Sequence, residues 1–124
     1  MHLNVQADVR ARLASALAPV EVRITVRDPR PEEIVTVSRE GGRRENGLID
    51  RAGIGIYCRA ATEERACELA YEVAAAMEGM PFSGGYARVE MDSMESDPDP
   101  DTGEPRWYLS YTVACFQPNE KKEA

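Results

Sequence analysis

The sequence predicts an α+β fold: a two-layer sandwich with two helices on one face of a mostly antiparallel five-stranded sheet, in the order α-β-β-β-α-β-β. Three observations lead there. Two segments repeat apolar residues at three- and four-residue steps, the period of a helix with one buried face. Five others repeat them at every second residue, the period of a strand. The chain has 124 residues, 43% of them hydrophobic, enough to bury one core without metal or disulfide staples.

The elements follow in order. Val9, Leu13, Ala16 and Leu17 line one face of an opening helix over residues 4–18, with Asn4 as its cap and Pro19 as its stop. Val20, Val22, Ile24 and Val26 alternate with polar residues in a first strand. The rigid turn Asp28-Pro29-Arg30-Pro31 leads to a second strand around Val35 and Val37, so the two runs predict a β-hairpin. Residues 40–53 carry Gly41, Gly42, Gly47 and Gly53 among charges and read as a long working loop. Ile54, Ile56, Cys58 and Ala60 mark a third strand. Thr62 caps a second helix whose first turn is acidic through Glu63 and Glu64. Its buried stripe is Ala66, Leu69, Ala70, Val73 and Met77, and Gly79 and Pro81 close it. Ala87, Val89 and Met91 define a fourth strand and Trp107, Leu109, Tyr111, Val113 and Cys115 a fifth, joined by an acidic, proline-rich turn. Residues 1–117 are expected to form a single domain and 118–124 a disordered polar tail.

Composition narrows the function. Lys and Arg number 15 against 22 Asp and Glu, a formal charge of −7, which argues against general binding to nucleic acid or anionic membrane. No apolar run is long enough to span a membrane, and the N-terminus lacks a basic segment followed by an apolar core, so a cytoplasmic protein is expected. Cys58, Cys67 and Cys115 have no C-x-x-C pairing and read as small buried apolar residues. The single histidine, His2, sits at an end expected to fray. Ser83 lies outside any G-x-S-x-G elbow. The residues therefore predict no enzyme, no cofactor and no metal.

Residues 90–104 hold seven carboxylates (Glu90, Asp92, Glu95, Asp97, Asp99, Asp101, Glu104) and no Lys or Arg, leaving 15 acids against 15 bases in the remainder. The stretch fits a calcium loop poorly: Thr102 stands where an EF-hand needs glycine and Tyr108 where it needs glutamate. A solvated hairpin tip and a protein contact stay open. Gly42 to Gly47 has the two-glycine spacing of a phosphate loop, but Leu48 and Ile49 replace its lysine and hydroxyl residue. Gly53-Ile54-Gly55 enters a strand, so it is no dinucleotide fingerprint. Arg39, Arg43, Arg44 and Arg51 are interrupted by Glu40, Glu45 and Asp50, a sum of +1 over residues 39–51. That mixture suits a carboxylate-bearing protein partner, or solubility alone, better than nucleic acid. Glu63, Glu64, Glu68, Glu72 and Glu78 read as a solvated helix face.

The opening helix, the segments VEVRITVRDPRPEEIVTV and GGRRENGLIDRAGIGIYCRA, the helix ATEERACELAYEVAAAM and the closing SDPDPDTGEPRWYLSYTVACF together cover about residues 4–117. In this order they resemble the tail terminator, or tail completion, proteins of long-tailed bacteriophages. What matches is the order and style of elements, not a catalytic signature. The resemblance implies a virion protein that forms a ring, a hexamer, on the head-proximal end of the tail tube. There it stops polymerisation of the tail tube protein and offers a surface to the head-tail connector protein. It carries over no individual site residues. From the charge pattern alone, the acidic stretch with Asp97, Asp99 and Asp101 and the arginine-bearing segment with Arg39, Arg43, Arg44 and Arg51 are the expected halves of the subunit contact. The competing expectations are a head-side connector protein and a host-encoded dimeric module that holds a small metabolite in the glycine-rich loop.

Overall fold

The structure, a computed structural model, describes residues 3–45, 47–80 and 85–116. His2, Pro81, Ser83 and the tail 118–124 lie outside the described residues. Helix α1 (Val5–Leu17) opens the chain, capped by Asn4, whose side chain accepts from the Ala7 amide. It buries Val5, Val9, Leu13 and Leu17. Ala16, expected on that face, is exposed: the buried residues follow an i, i+4 row that drifts around the helix, so in the last turn the core side is set by Leu13 and Leu17 and has moved away from Ala16. Helix α2 (Glu63–Gly79) is capped by the Thr62 hydroxyl and buries the expected Ala66, Leu69, Ala70, Val73 and Met77, together with Ala74.

Strands β1 (Glu21–Arg23), β2 (Ile34–Glu45), β3 (Ile49–Arg59), β4 (Tyr86–Ser96) and β5 (Arg106–Phe116) form one sheet in the order β1-β2-β3-β5-β4. Both helices pack on one face and share a continuous core with Val35 and Val37 of β2, Ile54, Ile56 and Cys58 of β3, and Leu109, Tyr111, Val113 and Cys115 of β5. A two-layer α+β sandwich is thus what the chain forms, with a mixed sheet in which three of the four strand pairings are antiparallel.

Three expectations are corrected. The first two strands do not form a hairpin: β1 runs parallel to β2, pairing Glu21 with Ile34 through Arg23 with Thr36. A parallel return needs a crossover rather than a tight turn, and residues 24–33 supply it. Arg27 folds this segment back by donating Nε and Nη2 to the Glu21 carboxylate at 2.8–3.0 Å. Arg65 of α2 pins its far end through Glu33 at 2.8 Å. Only Val22 of the predicted alternation is buried, and Val26 is 40% exposed.

Second, residues 40–53 are not a long loop. Residues 40–45 and 49–53 are the distal parts of β2 and β3, which pair continuously apart from a register shift between Arg39 and Gly42. Gly42 sits there with φ +97°, and a Cβ would strike the backbone of Arg51 and Ala52, so the bulge requires glycine. Third, β4 is out of phase with its predicted alternation. Shifts at Tyr86/Arg88 and Met91/Ser93 turn Tyr86 inward and leave Ala87 and Met91 exposed. The strand also absorbs residues 92–96 of the supposed turn.

Candidate assembly surfaces

β3 and β5 pair from Ile49 with Phe116 to Arg59 with Arg106. The β2–β3 turn and the β4–β5 turn therefore lie at opposite ends of the sheet, roughly 33 Å apart at about 3.3 Å per residue. Arg39, Arg43, Arg44 and Arg51 belong to the first end and Asp97, Asp99 and Asp101 to the second. Within one subunit the structure does not bring the two sets together.

At the acidic end, three carboxylates are held by three arginines from separate elements. Asp97 pairs with Arg106 at 3.1 Å, Asp99 with Arg59 at 2.8 Å, and Glu104 with Arg30 of the crossover. Asp99 also organises the turn: its Oδ1 accepts the Asp101 amide at 2.8 Å and the Thr102 amide at 3.3 Å, and its carbonyl accepts the Gly103 amide at 2.8 Å. The Arg59 guanidinium, and then these amides, hold the Asp99 carboxyl down at about 2. Asp101 is exposed, and its side chain has no ion-pair partner among the described residues. Four acids less three arginines leave this end at −1.

The arginine end is held differently. Arg39 grips Asp50 through two hydrogen bonds of 2.7 Å, and Asp50 is the one buried charged residue of the described core, 4% exposed. The Arg39 amide donates to Gln6 of α1 at 2.7 Å, so this pair ties the hairpin to the first helix. Its bond to Asp50 raises the Arg39 pKa further. Arg51 pairs with Glu45. Arg43 and Arg44 are exposed, beside Leu48 (49% exposed) and Phe116 (56% exposed). Counting Glu40, Glu45 and Asp50 against the four arginines, this end carries +1.

Between the ends, the sheet face away from the helices is polar and aromatic. The Tyr57 and Tyr108 rings lie 4.8 Å apart and the Arg106 guanidinium sits 4.3 Å over Tyr57. The Tyr108 hydroxyl donates to Glu40, whose carboxylate lies against Gly55 where any Cβ would collide.

Other candidate residues serve the fold. Burial raises the Cys58 thiol well above its ordinary range and pushes Cys115 up to about 11, so neither is a thiolate at neutral pH. Cys67, expected to be buried, is half-buried on α2. Tyr86 donates to Asp8 at 2.6 Å, and Asp8 pairs with Arg12 at 2.8 Å. The α2 glutamates are not simply solvated: Glu63 accepts from Trp107 Nε1 at 2.7 Å and Glu72 pairs with Arg65 at 2.8 Å. Among the described residues, no three His, Cys, Asp or Glu side chains are grouped to hold a metal. No described helix is long and apolar enough to cross a membrane.

Sequence reasoning missed the Asp50–Arg39 pair and the three arginines that hold the acidic turn. An aspartate set between Ile49 and the glycine-rich strand was the only available signal for the first. No protein-family model matches the chain, and no curated protein matches it.

Proposed function

We propose that this chain is a structural protein of phage morphogenesis that caps the head-proximal end of a tail tube, stops its polymerisation and joins it to the head-tail connector. It works as a ring of copies, six in number, and acts by geometry rather than by catalysis. The observation that carries this reading is that one sheet presents two unlike surfaces, the arginine-bearing β2–β3 hairpin and the acidic outer strand β4 with Glu90, Asp92 and Glu95. A cyclic ring needs two different complementary surfaces on each subunit, whereas a two-fold dimer needs one surface that complements itself. The resemblance of residues 4–117 to tail terminators supplies the rest of the reading. The metabolite-binding alternative loses its premise, because the glycine-rich segment is a pair of strands.

The test is tube polymerisation in the presence of the purified chain. Arrested tubes with the chain at one end only are the expected result. Tubes that grow to the same length with and without it would refute the proposal, and binding to the connector without arrest would favour the head-side alternative.

A further inference from the structure

The two edges of the sheet are unequal. On one side β1 covers only Ile34 to Thr36 of β2, and the Val22 carbonyl at its rim is closed by Arg10 at 3.0 Å. Beyond β1, the Arg39 amide is taken by Gln6, after which Glu40 to Arg44 are exposed. On the other side, β4 is an eleven-residue edge strand. Long uncovered edges are templates for another strand. The Asp97 amide donates to the Arg106 carbonyl at 2.8 Å, so by ladder alternation the amides of Ser96 and Met94 point away from β5.

We infer that the outer edge of β4 pairs with the distal half of β2, Gly42–Glu45, in a second copy of this chain, continuing the sheet from subunit to subunit. This rests on the reading that the chain assembles with itself and not on its acting at a tail tube. Charge chooses the occupant. β4 carries Glu90, Asp92 and Glu95 against Arg88 alone, and Arg88 is already paired with Glu90 at 3.1 Å, so β4 against β4 would bring together two strands of like net charge. The distal half of β2 instead offers Arg43. Arg43 lies across from Arg51 and Glu95 across from Tyr108, both on the sheet face away from the helices. In a continued sheet the two side chains therefore meet on one face, in reach for cross-strand pairing.

Length agrees as well. The bulges divide β4 into uninterrupted runs Arg88–Met91 and Ser93–Ser96, each as long as the Gly42–Glu45 run that follows the β2 bulge. Bulges ward off indiscriminate strand pairing, and here they limit the contact to a four-residue match. Because the two edges differ, the contact is head-to-tail and either closes into a ring or grows as a filament. It also leaves the arginine-held turn at residues 97–104 outside the copy-to-copy contact.

Sedimentation velocity on the wild type, Arg43→Glu, Glu95→Lys, the double exchange and Ser96→Pro tests this. Each single reversal should raise the concentration for half-assembly about fivefold, and the double exchange should return it to within about twofold of wild type. Ser96→Pro should block assembly while keeping the monomer's circular dichroism, since proline is tolerated where an edge amide faces out. If that variant misfolds, the charge exchange still decides. Hydrogen exchange should show Met94 and Ser96 amides protected only in the assembled form. Assembly insensitive to these changes, a double exchange no better than its worse single, or a chain monomeric at every concentration overturns the inference. Tube arrest is read separately: a chain that assembles this way without arresting tubes refutes the capping proposal alone.

Discussion

The two ends of the sheet are built from similar residue types and behave as opposites. The β4–β5 end carries most of the sequence's excess acid, yet Asp97, Asp99 and Glu104 are each matched by an arginine from elsewhere. The β2–β3 end looks balanced along the chain, yet Arg43 and Arg44 stand exposed beside Leu48 and Phe116. Charge counted along a segment therefore misjudges the charge that segment can offer a partner. An acidic turn neutralised from within is first a folded turn, and a mixed hairpin that exposes arginines together with apolar side chains is the better contact surface.

The largest effect expected on breaking this contrast lies at the anchored root of the arginine end. Arg39→Ala would leave Asp50 buried without its partner, and since Arg39 itself is 31% exposed the loss should be about 2–3 kcal/mol, below that of a fully buried pair. Urea unfolding checks it; a change under about 0.5 kcal/mol would show that Asp50 finds water instead. Gly42→Ala at the neighbouring bulge should cost about 2 kcal/mol, from positive φ and collision with β3, and it should disorder the hairpin tip before the core in hydrogen exchange. Tyr111→Phe serves as a control far from both ends. The Tyr111 hydroxyl is buried without a hydrogen-bond partner among the described residues, and burial pushes its pKa up to about 12. Its removal should leave stability unchanged or raise it by about 1 kcal/mol; a clear loss would mean that the hydroxyl is satisfied.

At the acidic end the effect is one of pH. Asp99 is held at about 2, below the ordinary aspartate value near 3.9, so the native state binds this proton less readily than the unfolded chain. Its contribution is full above the unfolded value and is lost as pH falls through about 4 towards about 2. Thermal midpoints of the wild type and Asp99→Asn should differ at neutral pH and converge near pH 2. Curves that stay parallel across that range would show that Asp99 does not hold the turn by its charge.

Much of the fold was legible in the sequence because period and capping are local. Asn4, Thr62 and the stripe from Ala66 to Met77 act within a few residues of themselves. What was not legible depends on partners distant in the chain. The alternation of Val20 to Val26 marks a strand but says nothing of its neighbour, and the parallel β1 is held by Arg27 folding back and by Arg65 of α2. The bulge at Arg39/Gly42 hid a strand pair behind glycines that resemble a loop. Of the candidate interface, the residues were legible but their state was not, since Arg30, Arg59 and Arg106 reach the acidic turn from three different elements.

The central claim is that copies of this chain join head to tail through unlike, oppositely charged surfaces. The mass of the purified protein by light scattering, over a wide concentration range at low and high salt, tests it most directly. The account predicts a mass that climbs with concentration beyond a dimer towards six subunits and falls back when salt is raised. A mass fixed at one or two subunits at every concentration and salt would contradict it.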